Sequence, residues 1–303
     1  MQYFPLFVDT QSLRVLIIGA GEVASRKLDL LSRTLAEIEV IAPDICDEVR
    51  SYARQGRIRL HQRAANIDDI VNVDLVYLAT GDDIFNRDMA RHATAQGIWV
   101  NVVDSPDLCS FITPSIVDRG RLQVAISTAG AAPVFARELR SRLENWLPNS
   151  LSELFDFIAE RRVEVQQRLP DFRLRKLFWE QFFISNGDKF DADTPRRYEN
   201  AFRQLSSEGE ILLIDDQTKV ELLPIAAMPL LQRIDTLCSD IALPSDLVEL
   251  VRRDASRASI PSLSVINAQY AKGERVLLYA QVATISRLVA HFPMAKWLRG
   301  GSL

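Results

Sequence analysis

Residues 13–24 join an apolar run to a glycine turn. The run Leu13-Arg14-Val15-Leu16-Ile17-Ile18 leads directly into Gly19-Ala20-Gly21-Glu22-Val23-Ala24, and apolar residues at helical spacing follow. This order is typical of a buried strand, a tight turn and an amphipathic helix. Small residues at 19, 21 and 24 also allow close backbone approach to a pyrophosphate. We therefore predict a dinucleotide-binding βαβ unit. The alternative is a tight turn without a ligand.

Further strands alternate with helices after this unit. We predict strands over 38–42, 75–80 and 98–103, and a helix over about 84–95. This alternation predicts a Rossmann-like parallel sheet, with α/β as the fold class. Two strands (111–117 and 122–127) joined by a tight turn and a helix from Pro133 to about 146 predict a small α+β segment. Residues 150–208 have a helical pattern. Residues 209–303 form a mixed α/β tail with strands at 211–214 and 275–280.

These changes of pattern predict four parts: 1–113, 114–149, 150–208 and 209–303.

The composition is that of a globular protein, with 303 residues, of which 48% are hydrophobic and 25% are charged. The net charge of −4 argues against a protein that is dedicated to coating nucleic acid. Three separated cysteines and three isolated histidines predict neither a disulfide framework nor a metal site. There is no membrane-length apolar run or signal peptide, so we expect a cytoplasmic protein.

Polar residues near the ends of the predicted strands are candidate ligands. Asp44, after Ala42 and Pro43, either accepts the ribose hydroxyls of NAD or caps the next helix. The preference for NAD over NADP remains open. Asp104 follows the 98–103 strand, and it is either a general base in the cleft or a turn cap.

The small-residue loop 127–133 precedes a helix. It is either a cradle for an anion or only a compact turn. Nearby arginines are either carboxylate ligands or members of a solvated helix face; they are Arg119, Arg121, Arg137, Arg140 and Arg142.

Several segments together resemble a known family. They are, in order, Phe4 to Phe7, Gly19 to Lys27, Ala79 to Asp83, Asn101 to Asp104, Phe111 to Ile116 and Ser127 to Pro133. This set resembles the precorrin-2 dehydrogenase/sirohydrochlorin ferrochelatase module of siroheme synthases over residues 1–208. The 150–208 helices, with Trp179 to Phe183, resemble that family's dimerisation segment.

The resemblance implies two reactions in one cleft. NAD⁺ takes a hydride from precorrin-2 to give sirohydrochlorin, and Fe²⁺ then enters the ring as a substrate to give siroheme. Asp104 matches the family's essential aspartate, a base in both steps. The resemblance also implies a homodimer, no fixed metal ligands and a separate upstream methyltransferase. The implied cofactor-binding residues are Gly19, Gly21, Glu22, Val23, Ala24, Pro43, Asp44, Thr80 and Asn101. The implied substrate-binding residues are Ser127, Thr128, Gly130 and Arg137.

Two segments depart from the family pattern. Thr128 stands where bacterial members carry a phosphorylatable serine, so phosphorylation is in doubt. The tail resembles a methyltransferase domain, but Asp215 to Lys219 replace its glycine-rich loop. Side chains there obstruct close approach to S-adenosylmethionine. We expect a folded, truncated remnant without transferase activity. The alternative for the whole chain is a non-catalytic tetrapyrrole- or nucleotide-binding regulator.

Overall fold

The structure is a computed structural model, and it describes residues 2–203, 205 and 209–301. The chain divides into two units, Met1–Leu147 and Pro148–Leu303. Each unit contains its own parallel sheet of five strands. Among the described residues, no helix is both long and apolar enough to cross a membrane.

The first unit is built on a parallel sheet in the order β3-β2-β1-β4-β5. Its strands are β1 (Arg14–Ile18), β2 (Glu37–Ala42), β3 (Arg59–Gln62), β4 (Leu75–Leu78) and β5 (Trp99–Val102). Its helices are α1 (Glu22–Leu31), α2 (Asp47–Arg54) and α3 (Asp83–Ala95). One apolar core lies under α1 and α2 and a second under α3, so the sheet is covered on both faces. The predicted Rossmann-like sheet is confirmed.

Sequence periodicity did not predict β3. Its four residues, Arg59-Leu60-His61-Gln62, include one apolar side chain, and none of the four is fully buried. A strand needs a continuous apolar run only where both faces of the sheet are buried, and the side chains of this edge strand remain partly exposed. The backbone pairing with β2 (Glu39 opposite Arg59 through Ala42 opposite Gln62) therefore holds a strand that lacks the usual signal.

A hairpin and one helix complete this unit. They are β6 (Ser115–Arg119), β7 (Leu122–Ile126) and α4 (Pro133–Trp146), and β6 pairs antiparallel with β7. Arg119 donates from Nε to the Leu147 carbonyl (3.0 Å) and from Nη2 to the Glu144 carbonyl (3.0 Å). These bonds satisfy the carbonyl end of α4. The Arg119 guanidinium thus has a structural role, and our interpretation of it as a carboxylate ligand is wrong.

The second unit begins with three helices, α5 (Leu151–Arg168), α6 (Phe172–Asn186) and α7 (Thr194–Arg203). Their aromatic side chains pack on one another: Tyr198 meets Phe157 and Phe178 edge-on, with ring centroids 5.5 and 5.3 Å apart. Phe178 and Phe182 are 0% exposed within the single chain. The aromatic richness of this region therefore reflects an internal core, and it does not by itself mark a surface for a second subunit.

The second sheet is parallel, in the order β10-β9-β11-β8-β12. Its strands are β8 (Glu210–Asp215), β9 (Thr236–Ser239), β10 (Ser256–Ala258), β11 (Arg275–Ala280) and β12 (Lys296–Trp297), and its helices are α8 (Met228–Leu231), α9 (Ser245–Leu250), α10 (Leu263–Ala271) and α11 (Val282–His291). The long apolar strands β8 and β11 were predicted. The shorter β9, β10 and β12 carry too few apolar residues to stand out in sequence.

Helix α6 is joined to this sheet by partly buried ion pairs. Lys176 Nζ contacts Asp235, which precedes β9, and Glu180 Oε2 lies 2.5 Å from Arg275 Nη1, at the start of β11. The Arg275 and Glu180 side chains are 14% and 29% exposed. Removing one partner of a shielded pair costs more stability than removing one partner of an exposed pair, because it leaves a partly buried charge unpaired. The tail sheet and the helical region therefore form one packed unit.

Candidate active site

The β1–α1 turn requires glycine at its first position and leaves space at its second. Gly19 has φ +108°, and a Cβ there would lie 2.4 Å from the Ala79 carbonyl oxygen. A Cβ on Gly21, by contrast, would meet no atom within 4 Å. Gly21 is the N-cap of the ten-residue helix α1 and offers no side chain to its amides. Free amides beside open space fit a pyrophosphate group, which helix N-termini favour.

Asp44 lies beyond the end of β2 and does not cap the next helix. Helix α2 begins at Asp47, and its N-cap is Cys46. Asp44 and Pro43 are both exposed. The cap interpretation is therefore wrong, and the Asp44 carboxylate lies near the carboxyl end of β2, where dinucleotide folds bind the adenosine ribose.

Thr80 is tied to a residue that sequence reasoning missed. Thr80 Oγ1 donates to Asn86 Oδ1 (2.7 Å), and Asn86 Nδ2 donates to the Thr80 carbonyl (3.0 Å). Asn86 is 3% exposed on α3. This reciprocal pair fixes the loop between β4 and α3, against which Gly19 packs. A buried asparagine inside a helix, where it is not favoured by propensity, was the available signal.

Asp104 has an uncommon backbone conformation. It follows the β5 strand, its φ is +58°, and its side chain is exposed. Non-glycine residues rarely adopt positive φ, and such residues cluster at functional sites. Within the described part of the chain, its carboxylate accepts no hydrogen bond, so the side chain does not cap the turn. This geometry favours the interpretation of Asp104 as a free carboxylate in the cleft.

Asn101 and Lys27 lie near this carboxyl-terminal edge of the sheet. Asn101 is 7% exposed and donates from Nδ2 to the Phe111 carbonyl (3.0 Å), so its amide holds the chain that follows β5.

Lys27 Nζ lies 3.5 Å from Thr113 Oγ1, and this hydroxyl lies 3.1 Å from the Tyr77 hydroxyl. Burial lowers the pKa of Lys27, with Cys109 opposing the shift, and burial raises the pKa of Tyr77. Sequence reasoning did not single out Lys27.

The 127–132 loop closes on itself and leads into α4. The Ala129 amide donates to Ser127 Oγ (3.0 Å), and the Ala132 amide donates to Thr128 Oγ1 (3.1 Å). Ala129 and Gly130 have φ +51° and +84°. The amides of Ala129 and Ala132 are therefore already bonded within the loop, which leads into the first turn of α4 at Pro133. Arg137 is exposed on α4, and no ion pair holds it within the described residues.

The structure groups the predicted residues in two places. Gly19, Gly21, Asp44, Thr80 and Asp104 lie at or beyond the carboxyl ends of β1, β2, β4 and β5, one edge of the first sheet, where open α/β sheets bind ligands. Ser127, Thr128, Gly130 and Arg137 belong to the layer of β7 and α4. No cluster of three or more potential metal-binding residues occurs in the ranges that the structure describes.

Three family models match successive parts of the chain. Residues 6–115 match a family described as "Putative NAD(P)-binding", residues 119–145 match "Sirohaem biosynthesis protein central", and residues 150–204 match "Sirohaem synthase dimerisation region". The three matches follow one another along the chain in this order and end at residue 204.

Curated proteins extend the similarity beyond residue 204. A siroheme synthase of Pseudoalteromonas atlantica is 40% identical over 266 residues, covering 85% of this chain and 58% of that protein. One from Photorhabdus laumondii is 37% identical over 268 residues, covering 86% and 57%. The chain thus spans less than three fifths of the length of these relatives. A solved structure, "SirC, precorrin-2 dehydrogenase", has a TM-score of 0.52 at 22% identity and covers 67% of this chain and 98% of its own, which is a likeness of fold.

Proposed function

Since the chain is a relative of the siroheme synthases, we propose that it catalyses two steps of siroheme formation. The first is the NAD-dependent oxidation of precorrin-2 to sirohydrochlorin. The second is the insertion of Fe²⁺, as a substrate, to give siroheme. The observation that carries this proposal is Asp104, an exposed carboxylate held at positive φ on the sheet edge that also bears the open Gly21 turn.

The cofactor would lie across the carboxyl edge of the first sheet. The α1 amides of Glu22, Val23 and Ala24 would bind the pyrophosphate beside Gly21, and Gly19 allows the turn to pack against Ala79, which follows β4. Pro43 and Asp44 would hold the adenosine ribose, and Thr80 and Asn101 would lie toward the nicotinamide end. When bound, NAD⁺ supplies the hydride acceptor.

Asp104 supplies the proton acceptor in both reactions. Oxidation of precorrin-2 removes one hydride and one proton from the macrocycle, and the Asp104 carboxylate takes the proton. Metal entry replaces two pyrrole N–H protons with one Fe²⁺, and the same carboxylate accepts these protons in turn and passes them to water. The four ring nitrogens ligate the iron, so the chain needs no metal cluster of its own.

The substrate's carboxylates would bind the loop before α4. The loop from Ser127 to Gly130 precedes the N-terminus of α4, an end of a helix that favours anions, and Arg137 lies one turn into the helix with its guanidinium exposed. Arginine pairs with carboxylates in a bidentate geometry. The Thr128 hydroxyl accepts from Ala132, so its oxygen stabilises the loop.

The match to a dimerisation region supports a homodimer that uses residues 150–208. We further propose the division of the chain into four parts at 113, 149 and 208, a cytoplasmic location and a separate upstream methyltransferase.

The loop after β8 supports the proposal that the tail has no transferase activity. Asp215 is 5% exposed, and it accepts bonds from the Gln217 amide, the Thr218 hydroxyl and Trp297 Nε1 at 3.0, 3.0 and 2.9 Å. Side-chain hydrogen bonds therefore hold this turn, and it carries side chains where a glycine-rich loop would have none.

An absorbance assay tests the two-step proposal. Precorrin-2 and NAD⁺ are mixed with the protein, and Fe²⁺ is added after the first spectrum is complete. We expect the sirohydrochlorin spectrum with stoichiometric NADH, and then the siroheme spectrum. A non-catalytic regulator would bind NAD⁺ or tetrapyrrole and form neither product above the rate without protein, which would refute the proposal.

A further inference from the structure

The free edge of β5 is closed by side chains. β5 is the last strand of its sheet, so no strand pairs with the side of it that faces away from β4. Val100 and Val102 on this strand are 0% and 4% exposed. Buried backbone groups need hydrogen-bond partners, and an uncovered edge leaves them unpaired. The partners here come from the chain that returns after the Asp104 turn.

Ser110 covers the position of Val100. The Val100 amide donates to Ser110 Oγ at 2.7 Å, and the Ser110 amide donates to the Val100 carbonyl at 2.8 Å. The hydroxyl itself lies 3.2 Å from the same carbonyl. Asn101, through its bond to the Phe111 carbonyl, fixes the next residue of the returning chain. This segment therefore adds to the sheet as a strand would, with a side chain as one of its partners.

Cys109 contacts both ends of the turn that carries Asp104. Its Sγ lies 3.2 Å from the Val102 amide nitrogen, which donates to it. The thiol also lies 3.3 Å from the Val102 carbonyl and 3.4 Å from the Ser105 carbonyl, the two acceptors for its hydrogen. Among the residues that the structure describes, the Asp104 side chain has no hydrogen-bond partner that would hold the turn. The left-handed conformation at Asp104 is thus held by the residues around it.

We propose that Ser110 and Cys109 are positioning residues for Asp104: they close the edge of β5 and hold the turn that presents the carboxylate. The inference rests on the proposed role of Asp104 as the base. Proton transfer requires the base to lie within hydrogen-bond reach of the proton, and misplacement by about 1 Å costs up to about 100-fold in rate. Neither side chain is required to touch substrate or cofactor.

The test uses the full-length protein with Ser110→Ala, Cys109→Ala and the double variant. Ser110→Thr and Cys109→Ser keep a polar group at each position. Ser32→Ala is the matched control, because it removes a hydroxyl bonded to the Asp29 carbonyl in the same unit. Thermal unfolding establishes that each variant is folded at the assay temperature. The steady-state kcat and KM of both steps, and the Kd for NAD⁺, are then measured.

We expect kcat of both steps to fall about tenfold in the double alanine variant, with KM and the Kd for NAD⁺ unchanged. The conservative variants should recover most of the rate, and Ser32→Ala should match the wild type. Unchanged kcat, or a rise in KM alone, would overturn the positioning inference. Asp104→Asn, assayed in parallel, separates the two ideas. If it loses both activities while the double variant keeps them, only the inference on Ser110 and Cys109 fails. If Asp104→Asn keeps both, the role of Asp104 and the inference fail together.

Discussion

Gly19 and Ala79 touch so closely that the β1–α1 turn admits no side chain: a Cβ at residue 19 would lie 2.4 Å from the Ala79 carbonyl oxygen. The φ of +108° is also unfavourable for any other residue. We expect Gly19→Ala to lower the free energy of unfolding by about 2–4 kcal/mol, measured by chemical denaturation. Gly81→Ala is the control, since a Cβ there meets nothing within 4 Å. Equal losses in the two variants would contradict the assigned packing.

Gly21 tests the cofactor site separately from the fold. The space beside it is open, so Gly21→Leu should fold normally and place its side chain where the pyrophosphate would lie. We expect the Kd for NAD⁺, measured by titration calorimetry, to rise about 100-fold or more, and dehydrogenation to fall with it. Iron insertion into supplied sirohydrochlorin consumes no nucleotide and should keep most of its rate. Loss of both activities to the same extent in a folded variant would count against the site.

Sequence reasoning worked best where one strand is buried on both faces. The runs at 14–18 and 75–78 are apolar because helices cover the sheet on each side, and so they were recognisable. It failed for β3 and β10, whose partners supply backbone bonds but demand few apolar side chains. The position of Asp104 after β5 was predicted. Its positive φ was not, because that conformation depends on contacts made by the chain several residues later.

The ion pairs between α6 and the second sheet give a prediction on stability. Glu180 pairs with Arg275 and lies 3.9 Å from Lys176, with its side chain 29% exposed. Glu180→Gln leaves the Arg275 guanidinium with a neutral partner, whereas Lys176 keeps its contact with Asp235, so we expect a loss of about 1–2 kcal/mol in the free energy of unfolding. Glu138→Gln is the control, because the Glu138–Arg142 pair is largely exposed and should contribute little. A larger loss in the control would argue against the docking role of Glu180.

The tail should show no transferase activity. Asp215 and its three donors hold the loop after β8 through side-chain hydrogen bonds, and the loop lacks the glycines that would let a ligand approach its backbone closely. Incubated with uroporphyrinogen III and S-adenosylmethionine, the protein should yield no methylated product by chromatography and mass spectrometry. A protein with known uroporphyrinogen III methyltransferase activity serves as the positive control. Formation of precorrin-2 by this chain alone would contradict the prediction.

The kinetics of Asp104→Asn measure the central claim most directly, because asparagine keeps the size of the side chain but accepts no proton. General-base catalysis contributes about 10²–10⁴-fold, and one carboxylate is proposed for both steps. With precorrin-2 and NAD⁺, and then with sirohydrochlorin and Fe²⁺, we predict that kcat falls by that factor in each assay. The Kd for NAD⁺ should be unchanged, since Gly21 lies in the turn between β1 and α1, whereas Asp104 follows β5. Near-normal rates in both assays would contradict the account and leave Asp104 as part of a turn.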